Sequence, residues 1–106
     1  MTRDRPYQGE KLLLATGGTP RRLPFDAGDI IYFRTLADFK RLHEMSTQME
    51  RFAVIGGGFI GSEIAASLAR NGKHISMVLP EDGIGAPIYP QDVSLFLNWF
   101  FREKGV

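Results

Sequence analysis

The chain has 106 residues, 43% of them hydrophobic and 24% charged, which suits one ordinary globular unit and is too apolar for a disordered tail. Thirteen basic against twelve acidic side chains leave a net charge of +1, so no electrostatic case exists for nucleic acid or an anionic membrane. The absence of cysteine excludes disulfides, thiolate metal sites and a cysteine nucleophile from these residues, and His43 and His74 are too scattered for a metal cluster.

In chain order, residues 1–6 lack the apolar core of a signal peptide and no apolar run approaches a membrane span. The expectation is a cytoplasmic setting without a membrane-spanning segment. Residues 11–16, KLLLAT, predict a buried strand, which Gly17-Gly18-Thr19-Pro20 breaks. Residues 21–29 read as a connection, and residues 30–33 as a short strand or extended segment. Thr35 offers an N-cap with Asp38 three residues on, a variant of the capping box. Leu36, Phe39, Leu42 and Met45 then recur at three-residue spacing and predict a helix over 36–48 with one buried stripe.

The run 52–63, FAVIGGGFIGSE, decides the chain. An apolar strand enters a G-x-G-x-x-G turn, and a helix-forming segment over 64–70 leads out of it. In a dinucleotide-binding turn Gly56 permits the tight bend, Gly58 lets backbone approach the pyrophosphate, and Gly61 lets helix and strand pack closely. Asn71-Gly72 is a helix stop, and residues 74–79 predict a second strand that Pro80 ends. Strand, turn, helix and strand within about 30 residues make a βαβ unit, so a dinucleotide is the expected ligand. A turn-rich loop over 80–87 follows, then a last helix over 91–104. Val93, Phe96, Leu97 and Phe100 define its expected apolar face, widened by Leu95, Trp99 and Phe101. The fold class is α/β: a Rossmann-like βαβ nucleotide-binding unit in a partial parallel sheet with flanking helices. Three or four strands are too few for a complete parallel sheet, and the last helix exposes more apolar surface than its own stripe needs. The chain therefore looks like a segment of a larger protein.

Three stretches, KLLLATGGTPR, YFRTLADF and AVIGGGFIGSEIAASLARNGKHISMVLPEDG, resemble the pyridine-nucleotide–disulfide oxidoreductase superfamily of flavoproteins, most closely its apoptosis-inducing-factor branch. The tail PQDVSLFLNWFFREKGV is similar to the helix that follows the nucleotide loop in that branch. The resemblance implies two domain pieces: residues 1–29 as the C-terminal remnant of an FAD-binding domain with its linker, and 30–106 as the N-terminal part of an NAD(H)-binding domain. It implies a protein that carries hydride from NADH to flavin and passes electrons to an unknown acceptor, with FAD bound in the full-length protein. Gly57, Gly58, Phe59 and Ile60 match positions lying along the dinucleotide, with Phe59 resembling an aromatic gate near the nicotinamide. Glu63 matches a glutamate approaching the nicotinamide end, Thr16 and Gly17 match strand-end positions lining FAD, and Arg34 matches an arginine near the flavin cofactor. Glu81 matches the acidic residue that bonds the ribose 2′-hydroxyl. No lysine or arginine lies between Lys73 and Arg102 to meet a 2′-phosphate, so NAD(H) is expected over NADP(H). A lysine of the relatives is replaced by Pro87. No catalytic side chain and no metal ligand is singled out.

Two other outcomes belong beside this one. The chain could be a catalytically inactive, truncated nucleotide-binding fragment, or one that self-associates through its last helix as a homodimer. For a eukaryotic relative of apoptosis-inducing factor, the expected compartment becomes the mitochondrion.

Overall fold

A computed structural model describes residues 8–25, 28–80 and 82–106; Glu81 lies outside the described residues. Helix α1 (Leu36–Gln48) starts where its cap dictates. Thr35 is extended, with φ −115° and ψ 167°, and its Oγ1 accepts from the Asp38 N–H at 3.3 Å. Asp38 Oδ2 in turn accepts from the Thr35 hydroxyl and N–H, both at 2.7 Å, and from the Arg34 N–H at 3.0 Å. The Thr35 hydroxyl, followed by these N–H groups, holds the Asp38 carboxyl below its ordinary pKa. Of the expected stripe, Leu42 and Met45 are half-buried, whereas Leu36 and Phe39 face solvent.

Strands β1 (Arg51–Ile55) and β2 (His74–Val78) pair in parallel, and α2 (Phe59–Arg70) crosses between them. Parallel neighbours need such a crossover. The register sets Phe52 beside Ile75 and Val54 beside Met77 on one face, with Ile55 beside Val78 on the other. The first face meets α2: Ala65, Leu68 and Ile75 form the buried centre, with Leu42, Phe52, Val54, Met77, Phe101 and Val106 packed around it. The second face is bare, Ile55 and Val78 both being exposed. One covered face therefore stabilises the sheet, instead of the two that parallel sheets usually bury.

Several expectations need correcting. Residues 11–16 form no strand: Leu12, Leu13 and Leu14 are 84%, 87% and 76% exposed. A strand exists through its neighbour's hydrogen bonds, and the described residues pair only β1 with β2. Residues 30–33 are likewise unpaired, though half-buried; the Tyr32 hydroxyl accepts from the Leu23 N–H at 2.9 Å. Among the described residues the sheet thus has two strands, not three or four. Helix α2 begins at Phe59, five residues before the expected start at Ile64, so the last glycine of the turn is helical.

Helix α3 (Gln91–Glu103) turns a different face inward from the one its apolar pattern suggests. Ser94 is buried and Leu97, Asn98 and Phe101 are half-buried, while Val93, Phe96 and Phe100 lie outside with Leu95 and Trp99. The polar pair Ser94 and Asn98 faces inward because the loop after β2 carries backbone groups that need partners there. No described helix is long and apolar enough to cross a membrane.

Candidate nucleotide-binding site

The candidate site lies where β1 ends. Gly56 adopts φ 108°, a conformation open to glycine and strained for other residues, and its N–H bonds the Val78 carbonyl at 2.9 Å. The chain thereby turns sharply into α2 without leaving the sheet. Gly61 sits so close to that turn that an added Cβ would overlap the Gly56 carbonyl oxygen. Between them, Gly58 caps α2 with φ −74° and ψ −173°, and a Cβ there would meet nothing within 4 Å.

The first N–H groups of a helix, here those of Phe59, Ile60 and Gly61, have no carbonyl partner within it; the first helical bond runs from the Ser62 N–H to the Gly58 carbonyl at 3.0 Å. Those donors and the positive end of the helix dipole face the open space at Gly58. An anionic pyrophosphate fits this combination of charge, donors and room.

The segment 82–89 lies on the turn. The Gly85 N–H donates to the Gly57 carbonyl at 2.8 Å. The Leu79 side chain and the Ile84 backbone come so near Gly57 that a Cβ would sit 2.8 and 3.3 Å from them. The segment is pinned to α3. The Ile84 N–H donates to Asn98 Oδ1 at 2.9 Å, the Ser94 hydroxyl donates to the Ile84 carbonyl at 2.8 Å, and Asn98 Nδ2 donates to the Asp82 carbonyl at 3.2 Å. At its end, Tyr89 meets Phe59 edge-to-face, with ring centroids 6.0 Å apart and planes at 85°.

Ser94, Asn98 and Tyr89 were not among the residues singled out from the sequence. For the first two the signal was present: polar side chains at i and i+4 within the otherwise apolar stretch 93–101 of the helix.

The structure does not gather every expected site residue. Gly56, Gly57, Gly58, Phe59 and Gly61 form the turn and the start of α2. Ile60 and Glu63 instead line a groove of about 610 Å³ between α1 and α2, with Phe39, Leu42, His43 and Lys73. Arg34 lines a separate cleft of about 450 Å³ with Arg22, Arg41 and Thr19. Its three guanidinium groups suit an anionic ligand, tempered by Asp38 in the same wall. Thr16 and Gly17 are exposed and are not part of that cleft. Glu81, outside the described residues, has no geometry here.

Fold and turn together define a Rossmann-like βαβ unit. The family model described as pyridine nucleotide-disulphide oxidoreductase matches residues 2–106, and the chain belongs to that family. Among similar proteins, the nitric oxide reductase FlRd-NAD(+) reductase of Aliivibrio fischeri is 35% identical over 103 residues, covering 94% of this chain and 27% of the relative. The mitochondrial apoptosis-inducing factor 1 of Dictyostelium discoideum is 32% identical over 105 residues, covering 92% of this chain and 20% of the relative. A crystal structure of a ferredoxin reductase from Rhodopseudomonas palustris superimposes with a TM-score of 0.66 at 26% identity, covering 69% of this chain and 18% of that one. The chain spans about a quarter of the length of the curated relatives it matches.

Proposed function

We propose that this chain is the NAD(H)-binding portion of an FAD-dependent oxidoreductase, with residues 30–106 as the first part of the NAD(H) domain and 1–29 as the end of an FAD domain and its linker. The observation that carries this is the open face of Gly58 at the start of α2, inside a βαβ unit. The N–H groups of Phe59, Ile60 and Gly61 bind the pyrophosphate, and the room beside Gly58 admits it. Phe59 lies along the nicotinamide half, with Ile60 and Glu63 on the side toward α1. Glu81 accepts from the adenosine ribose 2′-hydroxyl and repels a 2′-phosphate, which favours NADH over NADPH. The relative from Aliivibrio fischeri, named as an NAD(+) reductase, supports that preference. Thr16, Gly17 and Arg34 belong to the flavin side. When bound, NADH supplies the hydride that reduces flavin, whose electrons then pass to an acceptor. The compartment under this proposal is the cytoplasm, or the mitochondrion for a eukaryotic source.

Titration of the purified chain with NADH and NADPH, followed by nucleotide fluorescence, tests the proposal. Saturable binding with NADH the tighter ligand is expected, and Glu81→Gln narrows the difference. The chain purifies without flavin, because one cationic cleft does not replace a complete FAD site. No NADH binding, or tighter NADPH binding, refutes the assignment.

A second reading rests on α3, which exposes Leu95, Phe96, Trp99 and Phe100 along one side. Burial of such a strip stabilises by about 25 cal/mol per Å² of apolar area, and a symmetric homodimer is its simplest closed form. Light scattering of the wild type and of a Trp99→Ser, Phe100→Ser variant distinguishes the outcomes. A wild-type monomer at high concentration rules the dimer out.

A further inference from the structure

We propose that Tyr89 is a positioning residue for Phe59, holding its ring in place beside the dinucleotide. This rests on the reading of the glycine turn as an NAD(H) site.

Phe59 is the first residue of α2 and is 57% exposed, so the helix alone does not select one side-chain rotamer. A mobile ring offers little to a planar ligand, because ordering it on binding costs entropy. Its aromatic partner is Tyr89, met edge-to-face. The quadrupoles of two aromatic rings favour this perpendicular arrangement, in which Tyr89 covers at most one face of the Phe59 ring and leaves the other for stacking.

Tyr89 is itself well anchored. Its N–H donates to the Gly85 carbonyl at 2.8 Å, as does that of Ile88. Its ring occupies the side of Gly85 where a Cβ would overlap it. Gly85 is tied to the Gly57 carbonyl, and Ile84 to Ser94 and Asn98. An unbroken set of contacts therefore links α3, the segment 82–89, the glycine turn and the Phe59 ring. The same segment shapes the pyrophosphate cradle and sets the aromatic beside it. Tyr89 acts through Phe59, so its contribution is confined to the part of the ligand that Phe59 touches.

ADP-ribose, which lacks only the nicotinamide base of NADH, separates this role from support of the loop. Tyr89→Ala is expected to weaken NADH binding about three- to tenfold, the range of one aromatic pair, and to leave ADP-ribose within twofold. Tyr89→Phe retains the ring and restores NADH affinity. Phe59→Ala weakens NADH similarly, and adding Tyr89→Ala to it causes no further loss, the non-additivity of residues acting as a unit. Tyr89→Leu, which keeps bulk at the loop, weakens NADH as Tyr89→Ala does and leaves ADP-ribose within twofold, with unchanged circular dichroism.

Equal weakening of NADH and ADP-ribose by both Tyr89→Ala and Tyr89→Leu overturns the proposal, since Tyr89 then only supports the loop. Unchanged NADH binding in Tyr89→Ala or in Phe59→Ala also overturns it while leaving the dinucleotide site standing. A wild-type chain that binds neither ligand refutes the dinucleotide site itself, and this role with it.

Discussion

Gly61 and Gly58, three residues apart, respond to the same substitution in opposite ways. By helix propensity alone, Gly61→Ala raises stability by about 1 kcal/mol. The added Cβ, however, overlaps the Gly56 carbonyl oxygen and lies 3.6 Å from the Val54 side chain. That carbonyl has little freedom, because Gly56 is held at φ 108° with its N–H on the Val78 carbonyl. Relief requires lifting the first turn of α2 off β1, which loosens Ala65 and Leu68 against Ile75. Overpacking against fixed backbone belongs at the upper end of its usual cost, about 3 kcal/mol, for a net loss of about 2 kcal/mol. At about 4–8 °C per kcal/mol for a unit of this size, the melting temperature falls by about 8–16 °C. At Gly58, φ of −74° suits alanine and the Cβ meets nothing, so Gly58→Ala melts within about 1 kcal/mol of wild type. Its methyl instead occupies the room beside the helix N-terminus and weakens ADP-ribose about tenfold. Thermal melts by circular dichroism and ADP-ribose calorimetry on both variants check the pair. A Gly61→Ala chain as stable as wild type refutes the close approach of α2 to the turn, and a Gly58→Ala chain with undiminished affinity refutes the pyrophosphate position.

Ser94→Ala removes the hydroxyl bound to the Ile84 carbonyl and leaves that buried group unpaired, for a loss of about 1–3 kcal/mol by urea denaturation. Asn98→Ala frees Asp82 and Ile84 together, so it weakens NADH as well as stability, measured by titration beside the melt. Thr35→Ala strips the cap of α1 at a cost of about 1 kcal/mol. Because the folded Asp38 carboxyl is held below its ordinary pKa, its contribution is present above about pH 4 and is lost as pH falls through the folded value. Acid titration followed by α1 amide signals shows that loss in the wild type and a smaller one in Thr35→Ala. Trp99 fluorescence responds to an added quencher in a monomer and is protected in a dimer formed through α3.

What the residues settled alone was local. The Thr35–Asp38 cap and the three-residue apolar spacing predict α1 with the bounds observed, because both rules act within a few residues. Strand, glycine turn, helix and strand were legible for the same reason, their order being carried by short patterns. The start of α2 was not, since glycine and aromatic residues are poor helix formers in isolation, and only packing of Gly61 onto Gly56 brings the first turn into the helix. The tertiary structure decided the rest. Residues 11–16 have the composition of a strand, but no neighbour among the described residues pairs with them. The inward face of α3 follows the hydrogen-bonding demand of a loop that precedes the helix, which outweighs the helix's own apolar stripe, because an unpaired buried carbonyl costs more than an exposed phenylalanine. Ile60 and Glu63 follow the glycines in sequence yet line the groove toward α1, because residues three apart share one helix face and in the folded chain that face meets α1 across the groove.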